Sequence, residues 1–261
     1  MITGLADIEL AVADVASAAD GLAAVLGRSH VRCAGPAEGQ ASGGRTIRLE
    51  NMSVSLMPVG QMCGPPSEAP PIRLVLATDD AERAAHRLGR RGLPGKLRGD
   101  GAVLELDTGP THGVAIGVAA RAASASDDPT ADIAGLDHVV VRTPDPERAV
   151  ALYGGRLGLD LRLDRTNPQF GTRLLFFVCG GLVVEISHDT RKGVGSGPDS
   201  IFGLAWRARD VDRAHARMTK AGIEVSEVRA GRRPGTRVFT VKSHTAGLPT
   251  LVIGGAGLER S

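Results

Sequence analysis

The sequence predicts an α+β protein made of four βαβββ modules, and three observations carry that prediction. Four segments share one order: a short apolar strand, an acidic turn, an Ala/Arg-rich amphipathic helix, a glycine, then further strands. Their turn aspartates, Asp14, Asp80, Asp145 and Asp210, stand 66, 65 and 65 residues apart. The tripeptide Gly171-Thr172-Arg173 recurs as Gly235-Thr236-Arg237, 64 residues on, at the head of the equivalent strand. Strands this short, divided by Gly-rich turns, suit sheets that curl.

Each module opens on its strand: GLADIELAV, PPIRLVLAT, AGLDHVVVRT and IFGLAWRAR. Each turn Asp stands where a helix begins. Its carboxylate accepts from the unpaired amides of the first turn and suits the positive helix end. Pro146 follows Asp145 where a missing N–H costs nothing. The helices carry apolar residues at helical spacing, such as Ala149, Leu152 and Tyr153, or Ala214, Met218 and Ala221. Gly158 and Gly222 are expected to close the third and fourth helices in left-handed conformation. The strands that follow read LDLRLDR, GTRLLFFV and GLVVEIS in module three, and IEVSEVR, GTRVFTV and LPTLVIG in module four. Modules one and two show the same layout more loosely. A polar linker at 121–133 then divides two domains. The first, 1–120, holds modules 1–62 and 68–120; the second, 134–261, holds modules 134–190 and 200–256.

Composition narrows the function. Aromatic content is only 3%, too low for the stacking platforms of single-strand nucleic-acid binders. Thirty-one basic residues against 29 acidic ones leave a net charge of +2, no footprint for nucleic acid or an anionic membrane. Cys33, Cys63 and Cys179 form neither a disulfide framework nor a CxxC clip. The N-terminus has no signal-peptide pattern, and no apolar run approaches the roughly 20 residues that span a bilayer. A soluble protein of the reducing cytoplasm is expected. No GxSxG elbow, phosphate loop, HExxH or dinucleotide fingerprint occurs in a fitting context.

The stretch GLDHVVVRTPDPERAVALYGGRLGL resembles the opening of glyoxalase-like domains, and GLVVEISHD resembles the glyoxalase strand that carries a metal-binding glutamate. On these stretches and the module order, nearly the whole chain resembles the vicinal-oxygen-chelate superfamily: glyoxalase I, extradiol dioxygenases, and fosfomycin- and bleomycin-resistance proteins. The resemblance implies that modules pair into two cupped-sheet, half-barrel domains with helices outside. It also implies a divalent metal in the cup, held by residues from the first and last strands. First-strand positions seven residues before the turn Asp are Asp7, Arg73, His138 and Gly203, and last-strand positions are Ser55, Gly117, Glu185 and Leu251. Only His138 and Glu185 match a ligand type. The metal site of module three is therefore expected to be incomplete, with Gly203 vacating the partner position. Substrate, water or a residue such as His188 or His244 would complete the shell.

Alternation places His138 and Val140 on one strand face, with Val139 and Val141 facing the helices. His138 then serves as ligand, general base or substrate hydrogen-bond partner. Glu185, between Val184 and Ile186, needs a metal, His138 or an arginine such as Arg173 as partner. Arg173 and Arg237 are candidate arms of a carboxylate or phosphate clamp. Arg207 shares the parity of Gly203, and Phe177 and Phe239 are candidate lining aromatics. Trp206, on the opposite parity, is expected in the core. Two functions follow. One is a small-molecule enzyme, a lyase or isomerase centred on proton transfer next to a carbonyl, with one divalent metal (Zn, Ni, Mn or Fe) or none. The other is a metal-free binder of the bleomycin-resistance type; a regulatory scaffold is a third. The partner is a small molecule, with no nucleic acid or membrane, and a homodimer is permitted.

Overall fold

A computed structural model describes residues 1–28, 32–33, 43–61, 71–98, 101–120, 128 and 130–255; most of the expected linker and Cys63 lie outside these residues. The N-terminal half runs β1 (Ile2–Val12), α1 (Val15–Leu26), β2 (Arg32–Cys33), β3 (Arg45–Arg48), β4 (Ser53–Pro58), β5 (Ile72–Thr78), α2 (Ala81–Arg90), β6 (Gly95–Leu97), β7 (Val103–Leu106) and β8 (Ala115–Ala120). The C-terminal half runs β9 (Ile133–Arg142), α3 (Pro146–Ala149), β10 (Asp160–Asn167), β11 (Thr172–Cys179), β12 (Leu182–Asp189), β13 (Ser200–Ala208), α4 (Val211–Lys220), β14 (Arg229–Ala230), β15 (Thr236–Val241) and β16 (Thr250–Gly255). A π-helical stretch, Val150–Arg156, continues α3.

The strands form two mixed eight-stranded sheets. Their orders are β2-β3-β4-β1-β5-β8-β7-β6 and β10-β11-β12-β9-β13-β16-β15-β14. First and last strands of a module pair in parallel, as in β5 with β8, β12 with β9, and β13 with β16; the hairpins are antiparallel. Such a parallel step needs a long crossover, which the helix supplies.

The aspartates act where they were expected to. Asp14 accepts from the Ser17 amide at 3.0 Å, Asp80 from Arg83 at 2.8 Å and Asp210 from Arg213 at 3.0 Å. Asp145 accepts from both Glu147 and Arg148, at 3.0 and 3.2 Å. Losing such a cap costs about 1 kcal/mol. At the other end of α4, Gly222 turns left-handed with φ 74°, and the Ile223 amide donates to the Met218 carbonyl at 3.0 Å.

Helix-facing positions make the core. Val139, Val141, Leu175, Phe177, Val184 and Ile186 are buried, as are Tyr153 and Trp206. Along β9, β11 and β12, His138, Val140, Leu174, Phe176, Glu185 and Ser187 between them are half-buried, so these strands present one apolar face to the helix and one open face.

The chain divides into two compact units. One comprises Met1–Asp7, Arg73–Ala123 and His138–Phe202; the other comprises Ile8–Ile72, Ser124–Asp137 and Gly203–Ser261. In the first unit, the Asp199 amide donates to the His112 carbonyl at 2.7 Å, joining modules two and three. In the second, Arg217 Nε meets Asp132 Oδ2 at 2.7 Å and its Nη2 donates to the Val25 carbonyl at 2.8 Å. No described helix is long and apolar enough to cross a membrane.

Candidate functional site

The open face of module three is laid out by strand register. His138 on β9 pairs with Val183 on β12, Val140 with Glu185, and Arg142 with Ser187. Across the next hairpin, Val183 meets Val178, Glu185 meets Phe176, and Ser187 meets Leu174. On β10, Leu163 pairs with Phe176 and Arg165 with Leu174. Residues directly opposite share a face. Three rows result: His138–Val183–Val178, Val140–Glu185–Phe176–Leu163, and Arg142–Ser187–Leu174–Arg165.

His138 and Glu185 therefore share the open face, on adjacent strands and adjacent rows. Their side chains approach to 3.8 Å between Nε2 and Oε2, and are 17% and 18% exposed. That separation exceeds a hydrogen bond. An atom of a bound molecule set beside both would lie within reach of each, in surroundings supplied by Val140, Val183 and Phe176.

The donor set does not fit a resident metal. His138 and Glu185 supply two ligands, and structural or catalytic sites for such ions hold three or more protein donors. Among the described residues no group of three or more His, Cys, Asp or Glu side chains could hold an ion. The expected completing histidines are placed elsewhere. His188 is buried on the helix face, its Nδ1 3.1 Å from the Thr143 carbonyl. His244 is exposed in a turn at φ 62°, with Nδ1 against Ser243 Oγ. Gly203 lacks a side chain for a backbone reason: a Cβ there would overlap the Pro249 carbonyl oxygen, which already accepts from the Leu204 amide at 3.0 Å.

Several expected binding residues lie on the wrong face. Arg173 is tied to Asp164 (2.7 and 2.9 Å) and to Glu147 on α3 (2.6 Å). These carboxylates hold its guanidinium well above the usual range and Asp164 below its own. Arg237, its sequence equivalent, pairs with Asp212 in the first turn of α4. Each arginine binds strand to helix within its own unit. Phe177 is fully buried, its ring 5.7 Å from that of Tyr153. Phe239 is fully buried edge-on against His215, 5.1 Å away. Each lies one residue out of phase with the open face. Arg207, in the second unit, stands in register with Ile253, beside the apolar cluster of Ala205, Val238, Ile253 and Leu251. In module two, the position matching His138 holds Arg73, which is buried; Glu105 Oε1 lies 3.1 Å from Arg73 and 2.9 Å from Arg98.

The structure adds Phe176, Ser187, Arg142 and Arg165 to the open face. Two-residue alternation from His138 reaches Arg142; the run LLFFV hides Phe176, because both parities are apolar.

Residues 137–240 match the model of the glyoxalase/bleomycin resistance protein/dioxygenase superfamily. This segment contains both His138 and Glu185. The ethylmalonyl-CoA/methylmalonyl-CoA epimerase of Cereibacter sphaeroides is 26% identical over 97 residues, 34% of this chain and 72% of that protein. Among solved structures, a triple mutant of 4-hydroxymandelate synthase from Streptomyces coelicolor matches all of this chain and 94% of its own, at TM-score 0.73 and 17% identity. A halotolerant catechol dioxygenase matches over 98% of this chain and 87% of its own, at TM-score 0.69 and 14% identity. At such identities the structural likeness establishes the vicinal-oxygen-chelate fold across the chain, and the chemistry rests on the residues.

Proposed function

We propose that this protein is an isomerase-type enzyme that moves a proton on carbon next to a carbonyl, using His138 and Glu185 without a third protein metal ligand. The observation that carries this reading is the 3.8 Å approach of an imidazole and a carboxylate on one sheltered, mostly apolar strand face. At that separation a carboxylate is placed to accept a proton and an imidazole to donate a hydrogen bond to one bound molecule. Glu185 takes the proton from carbon, and the C–H electron pair moves into the carbonyl, leaving an enolate. His138 donates an N–H to the enolate oxygen. Return of the proton to the same carbon, from either face, regenerates the carbonyl and both side chains. The relative named as an epimerase supports a substrate of the acyl-thioester kind.

The test is deuterium exchange. Methylmalonyl-CoA incubated with the protein in D2O is followed by proton NMR at its C2–H. Catalysed exchange that falls about 10²–10⁴-fold in both Glu185→Gln and His138→Gln supports the assignment. Exchange unchanged in both variants rejects it. Tight binding without exchange favours the sequestering protein instead. Elemental analysis of protein purified without chelator, compared with the His138→Ala, Glu185→Ala variant, tests the two-donor reading: a stoichiometric metal lost in the variant would overturn it.

A further inference from the structure

Residues 83–91, RAAHRLGRR, hold four arginines and a histidine and no Asp or Glu. Ala84 and Leu88 bury one side of α2. At 100° per residue, Arg83, His86, Arg87 and Arg90 fall on a single arc of about 100° turned away from them. These four and Arg91 line an open groove of about 340 Å³, within the first compact unit. Like charges one turn apart on a helix repel, as Arg83, Arg87 and Arg91 do here. The helix dipole favours cations at Arg87 and Arg90, in the last turn, but not at Arg83, in the first.

The internal repeat shows what such cations do when they serve the fold. Counted from the capping aspartates Asp80 and Asp210, Arg83, Arg87 and Arg90 match Arg213, Arg217 and Lys220 of α4. Arg213 donates to the Thr130 carbonyl at 3.1 Å. Arg217 holds Asp132 at 2.7 and 3.0 Å and donates to the Val25 carbonyl at 2.8 Å. In the first unit that last bond is made by another residue. Arg91 Nη1 donates to the Arg156 carbonyl at 3.1 Å, and Arg156 matches Val25 when Asp145 is set on Asp14. Arg87 is thereby released from the task of Arg217. Arg83 keeps only a loose, exposed contact with Asp80, at 3.4 Å. Arg87 and Arg90 have no side-chain partner among the described residues.

We propose that the outer face of α2 binds a short polyphosphate, the phosphate chain of a nucleotide or of an inorganic polyphosphate. Arg87 and Arg90 hold it, with Arg83, His86 and Arg91 around them. Guanidinium forks match phosphate oxygens two at a time. From Arg83 to Arg90 the helix rises about 10 Å, longer than one phosphate needs and suited to two or three in series. No apolar side chain lines the groove, so it offers little to an uncharged ligand. The groove lies on the side of α2 away from Ala84 and Leu88, whereas His138 and Glu185 lie on the open strand face. The two sites are separate.

The test is isothermal titration calorimetry of the full chain with inorganic triphosphate, orthophosphate and ATP. Saturable binding of triphosphate, at least about tenfold tighter than orthophosphate, is expected. Affinity should fall about tenfold or more for each of Arg87→Gln and Arg90→Gln. Both positions are exposed and glutamine is a good helix former, so the variants should fold, which a melting curve checks. The variant Arg162→Gln, Arg191→Gln removes the same charge from exposed sites in module three and should bind as the unaltered chain does. ATP binding as tightly as triphosphate assigns the chain to a nucleotide; binding of triphosphate alone assigns it to an inorganic polyphosphate. Unchanged affinity in the Arg87→Gln, Arg90→Gln double variant overturns the proposal. So does an equal loss in the module-three variant, or triphosphate binding no tighter than orthophosphate.

Discussion

Replacing Arg148 by Met should be the most damaging surface-proximal change in module three. The Asp199 side chain is wholly inaccessible and the Arg148 side chain 19% exposed, with Nη2 and Oδ1 2.6 Å apart. The same Nη2 donates to the Gly197 carbonyl at 2.5 Å. Arg148 lies in the first turn after Asp145, and Asp199 in the segment leading to β13, so the pair joins α3 to that segment. Truncating the cation strands a carboxylate in the interior. Breaking a buried pair from one side costs about 3–5 kcal/mol. At about 2–4 °C per kcal/mol for a chain of this size, Tm should fall by roughly 6–20 °C. Asp199→Asn should cost less, about 1–3 kcal/mol, because Arg148 keeps the Gly197 carbonyl and some water. The double variant Arg148→Met, Asp199→Asn should then be milder than the sum, giving a coupling of 0.5–3 kcal/mol in urea denaturation. A cost below about 1 kcal/mol for Arg148→Met, or strict additivity, would show that the pair is not closed in solution and refute the reasoning.

Phe177→Ala should cost about 3–5 kcal/mol in urea denaturation, while Phe176→Ala, one residue away on the open face, should cost less than half of that and change ligand affinity instead. Gly203→His, which supplies the ligand type the superfamily pattern expects, should bind no additional metal and should melt lower, because its Cβ meets the Pro249 carbonyl; a gain of stoichiometric metal by elemental analysis would contradict this. Burial, and next the neighbouring Arg148, hold the His112 imidazole below its ordinary pKa. The unfolded chain then binds the proton first, so this stability is present at neutral pH and is lost as pH falls from the unfolded towards the folded pKa. His112→Asn should flatten the decline in Tm between about pH 7 and pH 5.

Much of the fold was legible because its determinants are local. The four aspartates announce helix starts, since an N-cap involves only the residue and the amides two or three positions on. Period-two alternation likewise sets His138 apart from Val139 and Val141 without knowledge of any other strand. The ion pairs of Arg173 and Arg237, expected as clamp arms, were not legible in the sequence for a different reason. Their carboxylate partners, Asp164, Glu147 and Asp212, lie 9 to 26 residues away in sequence, and nothing local says which face a strand-initial arginine takes.

The sequence by itself determined the element types, the helix starts and the presence of a His and a Glu at matching strand positions. Only the tertiary structure decided that these two approach to 3.8 Å and that Phe176 rather than Phe177 lies beside them. Helix caps and alternation are written in neighbouring residues. Register between strands is set by hydrogen bonds between segments tens of residues apart, and a one-residue slip would exchange the two faces.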